Sequence, residues 1–226
     1  MLANRYEEAL PILRAEAQRD KQDDFLIGPV CHVGVALLLA GDIEGARLHF
    51  SGLLAQAKSQ CSLHYIYLGI VCWAGRDLRG SVLAWTESMN CGYTSRLGLD
   101  GPLLLYFAAV REPGSYSKQS ALKLIEQRLG QLQGSGFDRS IGQFIVGQIS
   151  RDELLLRASN NQGRFAKQIN ALHKVDSSFY VAIDCLLLKD AGGYLDNLSY
   201  CASAVGCKQF SYEVILARKE LELSTK

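Results

Sequence analysis

The chain has 226 residues, of which 48% are hydrophobic and 21% are charged, so it can bury a sizeable core and is not a disordered segment. Its 24 basic and 23 acidic residues give a net charge of +1 with no basic run, which argues against nucleic acid as a partner. The longest apolar runs, such as 35–40, are far shorter than the roughly 20 residues that span a bilayer, which argues against a membrane protein.

The N-terminal segment is charged throughout and has no continuous apolar core of the kind found in secretory signals. The seven cysteines are an odd number, and most stand in apolar settings such as Ile70-Val71-Cys72-Trp73. Because free cysteine behaves as a small hydrophobic residue, buried reduced thiols are expected. These features predict a cytoplasmic protein.

Two consecutive stretches of the sequence share a period of 35 residues. The positions that match are small or aromatic: Gly34 with Gly69, Ala46 with Ser81, and Phe50 with Trp85. A fixed period of this length is the signature of a helical repeat.

Each repeat has two apolar segments at helical spacing, joined by a turn that contains Gly41-Asp42 or Gly75-Arg76-Asp77. Glycine ends one helix and aspartate caps the next, so each repeat predicts a helical hairpin. Small residues such as Gly34 stand where the two helices cross. A single hairpin cannot bury both of its faces, and the pattern therefore predicts that hairpins stack.

Residues 25–94 resemble the tetratricopeptide repeat family, whose unit is a helix pair of about 34 residues with small residues at the crossing. The resemblance implies an all-α fold: a right-handed stack of about five helical hairpins, or α-solenoid. The segment 4–10 resembles the second helix of a preceding repeat, so the chain is expected to begin midway through one.

Further helix pairs follow, with a weaker register. Residues 103–111 and 118–132 predict a third pair, and the loop at 134–136 predicts a boundary between units 1–133 and 134–226. Beyond it, helix pairs are predicted at 141–149 with 151–159 and at 179–190 with 195–204. A last helix, 210–223, is expected to cap the stack with a polar outer face.

No set of residues in the sequence points to catalysis, a cofactor or a metal. The four histidines lack the spacing of a zinc site, although a metal site assembled from distant residues is the alternative. The carboxylate pairs Asp23-Asp24 and Asp152-Glu153 fall at predicted helix starts, where negative charge complements the helix dipole. No nucleophile elbow, phosphate loop or dinucleotide fingerprint is present. The protein is therefore not expected to be an enzyme.

The first helix of each stacked hairpin is expected to line a concave face, which makes its side chains the predicted partner contacts. For the aliphatic side chains, packing in the core is the competing interpretation. The predicted contacts are His32, Val35, Ile66, Trp73, Tyr106 and Val110, and the two aromatics Trp73 and Tyr106 are favoured because aromatic anchors dominate interface energetics.

These expectations predict a non-catalytic scaffold that binds one protein partner. In overall layout the chain resembles the small tetratricopeptide proteins that serve as immunity proteins and neutralise a bacterial toxin by covering its active site. An adaptor or assembly factor is the alternative, and an enzyme is a distant third. The first helices carry no lysine or asparagine that would hold a peptide carboxylate, which argues against a clamp for chaperone tails.

Overall fold

The computed structural model describes residues 2–19, 29–56, 62–91, 98–132, 136–205 and 211–224. Within these ranges the chain forms twelve α-helices and no strand, which confirms the predicted all-α class. The helices are α1 (Leu2–Arg19), α2 (Pro29–Ala40), α3 (Ile43–Gln56), α4 (Ser62–Ala74), α5 (Leu78–Ser88), α6 (Asp100–Arg111), α7 (Lys118–Gln131), α8 (Phe137–Ile145), α9 (Arg151–Ser159), α10 (Ala166–Leu187), α11 (Ala191–Ala202) and α12 (Tyr212–Ser224).

The helices pack as two compact units, Met1–Ser95 with α1 to α5 and Arg96–Lys226 with α6 to α12. Successive helices along the chain are neighbours within each unit. The boundary predicted at 133/134 falls inside the second unit, and Gly134 and Ser135 lie outside the described residues. None of the helices in the described ranges combines the length and the apolar character that crossing a membrane requires.

The same type of turn joins the two helices in each of three hairpins, α2–α3, α4–α5 and α10–α11. In each, an aspartate stands before the second helix, and its side chain accepts a hydrogen bond from the backbone N–H three residues later. The bonds are Gly45 N to Asp42 at 2.8 Å, Gly80 N to Asp77 at 2.8 Å and Gly193 N to Asp190 at 2.9 Å. Each cap satisfies one of the N–H groups that a helix start leaves unpaired.

The residue before each aspartate has a left-handed backbone: Gly41 has φ of 95°, Arg76 of 63° and Lys189 of 59°. This conformation ends the first helix and turns the chain back for the second. The hairpin α10–α11 thus repeats the turn of α2–α3 and α4–α5. Its relation to the other two is not visible in the sequence period, and it has lysine where the first hairpin has glycine.

The matched positions of the 35-residue period make the same glycine–aromatic contact in both hairpins. A Cβ on Gly34 would overlap the Phe50 ring, and a Cβ on Gly69 would overlap the Trp85 ring. Phe50 and Trp85 are both fully buried. Glycine is therefore required on the first helix because an aromatic side chain of the second lies directly against its backbone.

Two of the first helices, α2 and α6, are largely interior elements. Every residue from Val33 to Leu38 in α2, and every residue from Asp100 to Ala109 in α6, is buried. A helix that is apolar all round is buried all round, whereas an amphipathic helix lies at the surface. The second helices α3, α7 and α9 keep exposed polar faces.

The helix α12 is largely buried and packs against α10 and α11 in the second unit. Its Tyr212 hydroxyl donates to Asp100 at the start of α6, and its Glu220 accepts from Arg111 at the end of α6. Of the charged residues that were expected on a polar outer face of a capping helix, Lys219 and Glu220 are only 9% and 0% exposed, whereas Glu222 is 59% exposed. Glu220 accepts from Arg111 and Tyr194, and Lys219 donates to Glu222. The capping role of α12 stays a prediction.

Candidate functional site

The structure buries four of the six predicted partner contacts. Val35 and Ile66 are 0% exposed, Trp73 is 1% exposed and Tyr106 is 5% exposed. The expectation that these side chains form a surface is therefore wrong, since a fully buried side chain contacts only its own core. His32 and Val110 are partly exposed.

The two favoured aromatics have clear roles in packing. Trp73 lies against Trp85, with 5.8 Å between ring centroids. Burial, helped by the nearby Asp184 carboxylate, raises the pKa of Tyr106 to about 12. The sequence held a signal for this outcome, because the α4 segment Ser62–Ala74 has no charged residue and so offers no solvent face.

Three histidines of the first unit have lowered pKa values. Burial lowers the pKa of His32, His49 and His64 below the usual 6.5, and the neighbouring His49 adds to the effect on His64. His49 Nε2 donates to the Val30 carbonyl at 2.8 Å. His64 Nδ1 is buried without a hydrogen-bond partner among the described residues. Such imidazoles are held neutral and contribute to packing.

The exposed large hydrophobic side chains are concentrated in one part of the second unit. In the described chain, all but Ile12, Leu48 and Leu83 lie between residues 155 and 205. Two of them, Leu155 and Tyr200, also lie together in space, and grouped exposed apolar side chains mark an interaction site more often than single ones do. The members of this set are Leu155, Leu156, Phe165, Leu187, Leu188, Leu195, Tyr200 and Val205.

Leu155 and Tyr200 belong to a groove of about 440 Å³ between α9, α10 and α11, which we call the α9–α11 groove. Each helix contributes two residues four positions apart, and α11 adds Asn197, so the lining rows run along the helix axes. The apolar contacts are Leu155 and Tyr200, which are 39% and 49% exposed. The lining is Leu155, Ser159, Lys174, Ser178, Asp196, Asn197 and Tyr200.

The groove carries one charge of each sign. Lys174 on α10 and Asp196 on α11 both line it and are both exposed. Within the part of the chain that the structure describes, neither side chain makes a hydrogen bond or ion pair. The stretch 154–175, which includes the wall from α9 and the first half of α10, contains no acidic residue. It contains the basic residues Arg157, Arg164, Lys167 and Lys174.

A second pocket, of about 450 Å³, is polar, and its lining side chains already make hydrogen bonds within the protein. The Arg157 guanidinium bonds to Glu153, Ser140 and Gln143. The Phe137 ring stacks on His173, with centroids 3.9 Å apart. Because Glu153 already neutralises Arg157, this pocket presents no uncompensated charge to a ligand.

Comparison with models of known protein families and with curated proteins gives no match for this chain. The sequence resemblance to tetratricopeptide repeats therefore rests on the repeated residues themselves. Of the surfaces described above, the α9–α11 groove combines exposed apolar area with unpaired charge, and it is the candidate functional site.

Proposed function

We propose that this protein is a non-catalytic scaffold of tetratricopeptide type that binds one protein partner. The observation that carries the proposal is the repeated hairpin, in which Gly34 against Phe50 and Gly69 against Trp85 recur with the same aspartate-capped turn. Helical repeats of this kind present broad surfaces for protein recognition. A right-handed stack of such hairpins within each unit belongs to the proposal and is supported by the neighbour relation of successive helices.

The partner surface that this proposal uses is the exposed part of the second unit. Interior first helices leave no accessible face for Val35, Ile66, Trp73 or Tyr106. The α9–α11 groove replaces them, because the exposed apolar side chains Leu155 and Tyr200 gain free energy when a partner removes them from water.

The narrower role that we propose is that of an immunity protein. It is motivated by the layout of the chain as a small divergent repeat protein, and it makes a definite prediction for growth. Co-expression with the product of the neighbouring toxin gene is expected to protect cells, and the Tyr200→Ala variant is expected to protect less while remaining folded by circular dichroism. Leu83→Ala, which removes an exposed leucine of the first unit, serves as the control.

The outcomes of that experiment separate the roles. A harmless neighbouring gene product that never co-purifies with this chain rules out the immunity role. The adaptor role then takes its place and requires a stoichiometric partner in material purified from the native host, identified by mass spectrometry. Absence of any stoichiometric partner in both experiments contradicts the scaffold proposal as a whole.

A further inference from the structure

Resting on the proposed protein-binding function, the geometry points to one occupant for the α9–α11 groove. The occupant is an amphipathic helix of the partner protein. It buries an apolar stripe against Leu155 and Tyr200, and it presents a carboxylate to Lys174 and a cationic side chain to Asp196.

The shape of the groove favours a helix. Its lining rows come from helices only, at the four-residue spacing of Leu155 with Ser159, and of Lys174 with Ser178. No strand edge is available there to add an extended peptide, because the helix backbones are bonded internally. An amphipathic helix fills such a groove with side chains spaced three and four residues apart.

The two charges of the groove specify which charged residues flank the apolar stripe of the partner helix. Lys174 and Asp196 stand on neighbouring helices and have no partner in the described chain. A partner helix with acidic residues on one side of its stripe and basic residues on the other complements both. Further acidic residues are favoured on the α10 side, where Lys167 lies two helical turns before Lys174 and no carboxylate stands between residues 154 and 175.

An anionic membrane surface fits the same groove less well. Basic residues beside exposed leucines and Phe165 also occur on proteins that bind membranes at their surface. However, Asp196 lines the groove, and its carboxylate would face anionic headgroups without compensation. Leu155 and Tyr200, the apolar side chains of the groove itself, also line a concavity, whereas insertion into lipid requires groups that protrude.

The test uses three labelled synthetic peptides of equal length. The first has a leucine stripe with glutamates on one side and lysines on the other, the second replaces the stripe by serine, and the third has lysines on both sides. Fluorescence anisotropy is expected to show binding of the first peptide and much weaker binding of the other two.

Variants of the groove sharpen the test. Tyr200→Ala is expected to weaken binding of the first peptide about tenfold, the usual effect of losing an aromatic anchor, while Tyr200→Phe is expected to bind as well as wild type. Lys174→Glu is expected to weaken binding about two- to fivefold, as for an exposed ion pair. The double exchange Lys174→Glu with Asp196→Lys is expected to restore binding, because the peptide then lies in the opposite direction. Leu83→Ala is the control.

Several results would overturn the inference. Equal binding of the serine peptide, equal binding of the lysine peptide, or no effect of Lys174→Glu in a folded variant each contradict it. Sedimentation with vesicles of phosphatidylcholine and phosphatidylglycerol that depends on Tyr200 assigns the surface to lipid instead. A dimer that dissociates on Tyr200→Ala assigns it to a second copy. If Tyr200→Ala and Lys174→Glu both retain the natural partner, the groove inference fails while the scaffold proposal stands.

Discussion

At the residue scale, the most consequential side chain of the first unit is Trp85. It is fully buried, its ring covers Gly69, and its indole Nε1 donates to the Ile66 carbonyl at 3.1 Å. A single residue thus combines apolar burial, close packing on a backbone and a buried hydrogen bond. The equivalent position in the preceding hairpin, Phe50, has the first two features.

Trp85→Ala is expected to lower the free energy of unfolding by about 3 to 5 kcal/mol, since a large buried aromatic leaves a cavity when truncated. Leu83→Ala on the same helix removes a side chain that is 60% exposed, and it is expected to change stability by less than about 0.5 kcal/mol. Urea denaturation followed by circular dichroism measures both values. Equal effects of the two substitutions would mean that Trp85 is not a core residue.

The lowered pKa values of His32, His49 and His64 predict a loss of stability in acid. The unfolded chain takes up protons near pH 6.5, whereas the folded chain takes them up only at lower pH because burial opposes the charge. Between these values the unfolded state binds more protons, so the free energy of unfolding falls as the pH falls, and it does not depend on these groups at higher pH.

A series of urea denaturations from about pH 7 to about pH 5 tests this expectation. The double variant His49→Gln with His64→Gln is expected to show a shallower fall, because glutamine does not titrate and can still donate to the Val30 carbonyl. A wild-type stability that stays level or rises over this interval contradicts the assignment of neutral, buried imidazoles.

At the scale of elements, the glycines of the first helices decide how closely two helices approach. A Cβ on Gly69 would overlap a buried aromatic ring, whereas a Cβ on Gly52 in α3 would meet nothing within 4 Å. The same substitution at these two glycines therefore has opposite expected effects. The comparison isolates packing from the general benefit of replacing glycine in a helix.

Gly69→Ala is expected to destabilise the protein by about 1 to 3 kcal/mol through overpacking. Gly52→Ala is expected to be neutral or to stabilise it by up to about 1 kcal/mol, because it restricts the unfolded chain without a clash. Differential scanning calorimetry of the two variants provides the measurement. A melting temperature that rises for Gly69→Ala would show that the helices of this hairpin are not in the described contact.

These hairpins could be predicted from the sequence because the residues that define each one lie close together along the chain. The small residues at the crossing and the aspartate at the turn lie within one repeat, and the period of 35 residues needs only two adjacent repeats. The interior position of α12 was not predicted, since it depends on Tyr212 reaching Asp100, 112 residues earlier. Local periodicity contains no information on such a pairing.

The candidate site was missed for the same reason. The α9–α11 groove exists only because three helices bring Leu155, Lys174 and Tyr200 together, and no motif in the sequence records that arrangement. The segment Leu154-Leu155-Leu156 did contain a signal, because three consecutive leucines on one helix cannot all face the same core. Only Leu154 is buried.

At the scale of the whole molecule, the buried ionic group around Glu220 ties distant parts of the second unit together. Glu220 is 0% exposed and accepts hydrogen bonds from Arg111 on α6 and Tyr194 on α11. Burial, together with the Glu220 carboxylate, raises the pKa of Tyr194, so its hydroxyl remains a donor. Three helices therefore meet at one carboxylate.

Glu220→Ala is expected to cost about 3 to 5 kcal/mol, because it leaves the partly buried Arg111 and the Tyr194 hydroxyl without their acceptor. Glu222→Ala removes a neighbouring carboxylate that is 59% exposed and is expected to change stability by less than about 1 kcal/mol. Chemical denaturation followed by far-UV circular dichroism compares them. A Glu220→Ala variant as stable as Glu222→Ala would show that the network does not hold α12 in place.

The long-range contacts of α12 also govern when the second unit can fold during synthesis. In the first unit, key contacts such as Trp85 with Ile66 and His49 with Val30 join residues only 19 apart, so they can form as the nascent chain emerges. In the second unit, Asp100 and Arg111 can bond to Tyr212 and Glu220 only after these residues, 112 and 109 positions later, have been synthesised. When α6 to α11 have left the ribosome and α12 has not, the surfaces of α6, α10 and α11 that α12 covers are still exposed, and the second unit depends most on chaperones during this interval.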